Sequence, residues 1–292
     1  MLKELWKRRL DLVEKKLIEE LHEEEALDET LCASMKYSLM AGGKRLRPVL
    51  LMAAADAVGA EGDTFVTTGC AIEMIHTYSL IHDDLPAMDD DDYRRGKLTN
   101  HKVYGDGMAI LAGDALLTMA FEVMLRQEGV SPAQMAAVVR EMSIAAGPNG
   151  MVGGQAIDLE SENKRIGLEQ LQKMHMGKTG ALFRAAIRSG AILGGATEEQ
   201  LEALTSYADK FGLAFQITDD ILDVTGDEET IGKPVGSDER NHKSTYVTLT
   251  SLKDAKKLAI TTVDEAVEAL DSFGDEADFL RDLATYLIAR NK

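Results

Sequence analysis

Positive charge, aromatic rings, proline, cysteine and strand-forming runs are all scarce in this chain of 292 residues. Lysine and arginine number 32 against 50 aspartates and glutamates, a formal charge of −18. Nucleic-acid binding needs a broad basic surface, so no nucleic-acid partner is expected. The two cysteines, Cys32 and Cys70, have no zinc spacing and lie in apolar helical patterns. They predict small buried side chains, and nothing calls for an oxidising compartment. The longest apolar stretch, residues 109–125, is interrupted by Asp114 and Glu122, which argues for a buried helix over a membrane span. The N-terminal MLKELWKRRLDLVEKKLIEEL is charged and amphipathic and lacks a signal-peptide core. These features predict a soluble, cytoplasmic protein. Only residues 246–250 read as strand-like, too short to imply a sheet.

What is abundant is helix-forming. Hydrophobic residues make up 45%, enough for a sizeable core, and aromatics only 5%, so Ala, Leu and Met carry it. Helical periodicity predicts helices near 2–24, 28–41, 48–59, 63–85, 107–128, 131–146, 168–195, 197–225, 252–272 and 275–290. No linker or repeat interrupts them. The expectation is one all-α domain over residues 1–292, roughly ten or more helices around a central space. Three irregular segments stand out: 40–48, 87–107 and the polar loop 226–245. A loop as long as the last is usually functional or mobile.

The strongest local signal is Asp83-Asp84-Leu85-Pro86-Ala87-Met88-Asp89, continued by Asp90, Asp91 and Asp92. Six acids within ten residues repel one another unless a cation offsets them. Hard divalent cations with oxygen ligands suit such a cluster. A solvated acidic turn is the other reading, and an EF-hand loop fits poorly. The second signal is Asp219-Asp220-Ile221-Leu222-Asp223. Asp219 and Asp223 stack at i and i+4, with Gln216 a turn away and apolar neighbours around them. This is either an exposed helix edge or a second set of metal ligands. Two such helices facing each other could clamp a diphosphate through Mg²⁺, which uses few protein carboxylates and completes its shell with water and phosphate oxygens.

The few basic residues are gathered beside these motifs. Gly42 and Gly43 end one helix and Pro48 suits the first turn of the next. Lys44, Arg45 and Arg47 lie between, near N–H groups that attract anions. Arg94 and Arg95 follow the first motif, Lys178 and Thr179 lie on a middle helix, and Lys233 and Lys243 follow the second. Singly, each reads as a surface charge; together they read as an anion site. His76 lies two turns before Asp83, about 10 Å along the axis on the same face, and is either a structural histidine or an anion contact.

GGKRLRP at 42–48, HTYSLIHDDLPAMDDDDYRRG at 76–96, LAGDALL at 111–117, GGQAIDL at 153–159, KTG at 178–180 and FQITDDILD at 215–223 together resemble the trans-prenyl diphosphate synthases. GKPVGSD at 232–238 and KST at 243–245 extend the match in the same order. The form of the first motif resembles the bacterial farnesyl and plant-type geranylgeranyl branches. Leu98 departs from the proline common after RRGK, which bears on loop conformation and not on chemistry. The resemblance implies head-to-tail condensation of isopentenyl diphosphate with an allylic diphosphate, dimethylallyl or geranyl, to give farnesyl diphosphate. It implies about three Mg²⁺ ions per site and a homodimer. Asp83, Asp89 and Asp219 would be the main metal ligands, and Asp84, Asp220 and Asp223 supporting ones. Arg94, Lys178, Thr179, Gln216, Lys233 and Lys243 would bind the allylic diphosphate. Lys44, Arg47, His76 and Arg95 would bind isopentenyl diphosphate. Tyr78, five residues before Asp83 and so about 7–8 Å back along the helix, would be the floor that stops the growing chain. An ordinary core tyrosine is the other reading. Geranylgeranyl diphosphate is the second product expectation. A class I terpene cyclase lacks an isopentenyl site, and a non-catalytic subunit would have degraded aspartate motifs.

Overall fold

The protein is described by a computed structural model covering residues 2–22, 26–162, 164–226 and 243–289. Lys233 and most of the loop read at 226–245 lie outside the described residues.

Apolar residues spaced three and four apart become stacked helices. Helix α1 (Leu2–Glu20) buries Val13 and Leu17. Helix α2 (Glu29–Leu39) starts where the Asp28 carboxylate accepts the Leu31 N–H at 2.7 Å. Gly42 and Gly43, with φ of 87° and 127°, turn the chain into α3 (Leu46–Ala57), a conformation glycine adopts without strain. A tight turn, Gly62–Phe65, leads into α4 (Val66–Asp83), which Pro86 stops. The 87–107 segment then forms a two-residue hairpin, β1 (Tyr93–Arg94) against β2 (Lys97–Leu98), and the short α5 (Asn100–Tyr104). Leu98 pairs with Tyr93 in this hairpin, and its carbonyl accepts the Tyr37 hydroxyl at 2.8 Å.

Helix α6 (Asp106–Leu125) packs along α4, and α7 (Pro132–Ala146) begins at a Ser131–Gln134 capping box. Helix α8 (Met151–Ser161) follows. The helix predicted over 168–195 is three pieces: α9 (Leu168–His175), a wide π-turn (Met176–Gly180) and α10 (Ala181–Leu193). Helix α11 (Glu198–Thr225), capped by Thr197 and Gln200, carries the second aspartate motif. The strand-like run at 246–250 is instead a helical turn, α12 (Tyr246–Leu249), begun by the Thr245 hydroxyl. Helices α13 (Leu252–Glu268) and α14 (Asp278–Ala289) complete the described chain. Helix α8 was not predicted, because Gly153 and Gly154 dilute its helical signal.

The core falls into three patches. One joins α1, α2, α4, α6 and α7; a second joins α3, α10, α11, α13 and α14. A third, smaller patch lies under the second aspartate motif and includes Leu171, Met174, Ile217, Ile221 and Tyr246. Cys32 and Cys70 form no disulfide, and the Cys70 thiol donates to the Val13 carbonyl at 3.7 Å.

Candidate active site

The apolar run of α4 ends on Asp83 and Asp84, which leave the helix in different directions. Asp83 is half-buried, and the loop curls back so that the Asp89 N–H donates to its carbonyl at 2.9 Å. Asp90 takes φ 51°, a left-handed turn that lets the loop close. Gln155 on α8 donates to Asp83 Oδ1. Lys178 Nζ lies 3.7 Å from Asp83 Oδ2 and 2.7 Å from Asp158 Oδ2, also on α8. Burial pushes the Asp83 carboxyl above its usual range; Lys178 works against this and Asp89 adds to it. Burial opposes the Lys178 charge, but Asp83 and Asp158 outweigh it and hold the ammonium above its usual value.

Asp84 is buried and locked by Arg94, whose Nε lies 2.7 Å from Oδ1 and whose Nη2 lies 2.6 Å from the same oxygen. That fork closes the base of the acidic loop. Arg95, at φ 54°, donates to the Gly42 carbonyl and lies against Gly43, where a Cβ would stand 2.6 Å from the guanidinium carbon. The loops at 42–48 and 87–99 are therefore tied together.

Within GGKRLRP the three basic residues part company. Arg45 is 1% exposed, donating to Glu73 at 2.9 Å and to the Leu39 carbonyl at 2.7 Å, and is structural. Lys44 is exposed, and its carbonyl accepts the Trp6 indole N–H at 2.9 Å. Arg47 is buried with its guanidinium 4.6 Å from the centre of the Phe183 ring. Its Nε has no partner among the described residues. Burial lowers Arg47 to about 10, with Glu73 opposing. Burial, then Arg47 and Arg95, pushes the His76 imidazole well below its usual range. Phe183 also meets Phe215, 5.0 Å away on α11, which brings Arg47 into the neighbourhood of Gln216.

The π-turn touches the first aspartate motif and packs on the helix that carries the second. Its Lys178 reaches Asp83, and its Gly180 lies against Gly212 on α11, where a Cβ would meet the Gly180 Cα at 3.2 Å. Gly212 is four residues before Gln216 and seven before Asp219, on one helix face. Thr179 is half-buried in the same turn. Asp219 is exposed and Asp223 half-buried, whereas Asp220 is buried and accepts the Tyr246 N–H at 2.7 Å. Lys243, at the edge of the described chain, is exposed. Tyr78 is 6% exposed, edge-on to His82 at 5.7 Å, and His82 in turn lies 3.0 Å from the Ile110 carbonyl of α6. Gln155 and Asp158 were given no role from the sequence. The quoted GGQAIDL segment contains both, and their contacts arise only once α8 crosses the π-turn.

Two aspartate-rich helix ends, joined by a lysine-bearing turn inside an all-α body, define a protein of the isoprenoid-synthase type. A model of the polyprenyl synthetase family matches residues 28–281, and the chain belongs to that family. It is 48% identical over 267 residues to a farnesyl diphosphate synthase of Bacillus subtilis strain 168, covering 91% of this chain and 90% of the relative. It is 46% identical to a farnesyl diphosphate synthase of Micrococcus luteus over 97% of this chain and 96% of the relative. The crystal structure of a geranylgeranyl pyrophosphate synthetase from Pyrococcus horikoshii Ot3 superposes with a TM-score of 0.90 at 35% identity, covering 99% of both chains.

Proposed function

We infer that the chain is one all-α catalytic domain over residues 1–292 that adds isopentenyl diphosphate to dimethylallyl and then geranyl diphosphate. The product is farnesyl diphosphate, and each addition releases pyrophosphate and a proton. One observation carries this reading: a carboxylate and an ammonium, Asp83 and Lys178, 3.7 Å apart at the mouth of an aspartate loop. The curated relatives that bear the farnesyl name support the product.

The donors present suit Mg²⁺, since they are carboxylate oxygens and few in number. A cation beside Asp83 would also offset the burial that raises its carboxyl. Asp83, Asp89 and Asp219 would hold the metal, with Asp84 and Asp223 in support. When bound, Mg²⁺ supplies positive charge to the departing diphosphate. Lys178, Thr179 and Gln216 orient the allylic diphosphate, joined by Arg94, Lys233 and Lys243 from the flanking segments. Lys44, Arg47, His76 and Arg95 hold isopentenyl diphosphate. Arg47 stays charged near neutral pH, because burial lowers it only to about 10. His76 is neutral there and contributes an N–H instead of a charge. The Phe183 and Phe215 rings pack together beneath the Arg47 guanidinium and give that side of the site an apolar backing. We read the enzyme as a soluble cytoplasmic homodimer; the free thiols of Cys32 and Cys70 suit a reducing compartment, and the exposed apolar residues on α6 suit a pairing face.

The test is chromatography of products from the purified chain, isopentenyl diphosphate, geranyl diphosphate and Mg²⁺. Farnesyl diphosphate is the expected product, and Tyr78→Ala should yield products of twenty carbons or more. A twenty-carbon product from the unaltered chain would move the assignment to geranylgeranyl diphosphate. A Tyr78→Ala enzyme that stays active and still stops at fifteen carbons would remove Tyr78 as the floor. Turnover without isopentenyl diphosphate would point to a cyclase.

A further inference from the structure

The second aspartate motif does not turn its carboxylates one way. Successive side chains on a helix diverge by about 100°, so Asp219 and Asp220 face different surroundings. Asp219 is exposed. Asp220 is 6% exposed, on a helix whose neighbouring residues Ile217 and Ile221 belong to a buried apolar patch. Burying a carboxylate there is costly unless it is hydrogen-bonded. One bond it makes is to the main chain: Oδ2 accepts the Tyr246 N–H at 2.7 Å. Tyr246 is itself 0% exposed, so this N–H needs an acceptor inside the protein.

Tyr246 is also where three parts of the site meet. Its ring lies 5.6 Å from that of His175, the last residue of α9 before the π-turn that carries Lys178 and Thr179. Three residues before it stands Lys243, and Thr245 caps the turn it begins. Whatever fixes the Tyr246 main chain thus helps to fix the backbone at Lys243, three residues before it.

We propose that Asp220 is a positioning residue: its carboxylate anchors Tyr246, and through it Lys243 and the ring packed on His175, while metal binding on this helix falls to Asp219 with Asp223 in support. The proposal rests on the reading of α11 as a metal-binding helix. It gives the adjacent aspartates separate tasks. Asparagine at 220 keeps an oxygen acceptor in nearly the same place and loses the charge; alanine loses both. Asparagine is therefore a partial rescue for an anchor, which needs an oxygen acceptor, and a poorer one for a Mg²⁺ ligand, which loses its negative charge.

Two measurements on the full chain test this. The first is amide hydrogen exchange over residues 243–249, which needs no substrate and no turnover. Losing a charged hydrogen bond at a buried amide should speed local exchange about tenfold or more in Asp220→Ala, while Asp220→Asn stays within about threefold of the parent. The second is the Mg²⁺ concentration for half-maximal turnover with isopentenyl and geranyl diphosphates. It should stay within about twofold of the parent in Asp220→Asn and rise about tenfold or more in Asp219→Ala. The KM for geranyl diphosphate should rise in Asp220→Ala more than in Asp220→Asn. An Asp220→Asn enzyme with parental exchange and a Mg²⁺ requirement raised as far as in Asp219→Ala would overturn the proposal. Should Asp220→Ala fail to fold, exchange and Mg²⁺ requirement in Asp220→Asn decide alone. Should the chain make no prenyl product, the functional reading falls and the exchange result still decides the anchor.

Discussion

His175 is the residue whose charge state the surrounding fold governs most clearly. Burial pushes its imidazole down to about 4, with Lys178 and Lys243 pushing the same way and Asp158 opposing. The unfolded chain binds a proton near the usual 6.5, so between that value and about 4 it holds a proton that the fold refuses. Stability from this group is complete above 6.5 and is lost as pH falls through that window. A drop to pH 5 should cost about 2 kcal/mol from this residue alone. Urea unfolding at pH 7 and pH 5 measures it, and His175→Gln should flatten the difference; an equal pH response in both proteins would rule it out. No sequence pattern announced this behaviour. His76 shares a helix face with Asp83, which the sequence shows, whereas the ring packed on His175 belongs to Tyr246, far along the chain. The aspartates were legible because charge density is local. Their division of labour was not, because it depends on which groups the packing brings to each carboxylate.

At the scale of elements, the crossing of α8 over the π-turn assembles the site. A Cβ on Gly154 would stand 2.0 Å from the Lys178 backbone nitrogen and 2.6 Å from the Gly177 carbonyl carbon. Backbone atoms cannot swing aside, so a side chain there must push α8 away. Gln155 and Asp158 would move with it, away from Asp83 and Lys178. Gly154→Ala should therefore destabilise the protein by about 1–3 kcal/mol and lower kcat about tenfold or more. Gly167, with nothing within 4 Å of its would-be Cβ, is the control and should change little. Thermal unfolding and steady-state kinetics on both variants check this; equal effects at the two positions would refute the crossing argument. Periodicity predicted most long helices, because apolar spacing survives in a single sequence. It ran straight through residues 176–180, since one wide turn leaves the apolar pattern almost in phase. It missed α8 for the opposite reason: the glycines that allow close crossing also weaken the helical signal.

For the whole molecule, α6 poses a question of cover. The sequence predicts a buried helix over 109–125, and the structure buries only one side of it, through Ala109, Ala112, Gly113, Leu116, Ala120, Val123 and Met124. The other side carries Ile110, Leu111 and Leu125, which are 45%, 53% and 67% exposed, with Phe121 half-buried between. Ile110 and Leu111 lie near one end of this face and Phe121 and Leu125 towards the other, with the exposed Asp114 and Thr118 between them, so they form an interrupted apolar stripe along a helix about 30 Å long. By length and composition α6 could also cross a membrane. The face that packs on α4 argues otherwise. Gly113 lies so close to His82 that a Cβ there would collide with the ring, and α4 carries Asp83 at its end. A helix tied this way to the site cannot leave for a bilayer without dismantling it. A second copy of the chain, related by a twofold axis, would cover the stripe with the same stripe. A stable interface of this kind buries about 1,200–2,000 Å². The chain should sediment at twice its own mass at about 10 μM, within the range such interfaces sustain. Leu111→Glu puts a carboxylate on the face that each copy would cover, and the variant should sediment at one chain mass with unchanged helical circular dichroism. Its kcat should fall as well, because α6 supports the turn of α4 that ends at Asp83. Sedimentation of the unaltered chain as a monomer at that concentration would refute the pairing, and flotation with anionic liposomes would show that the stripe meets lipid instead.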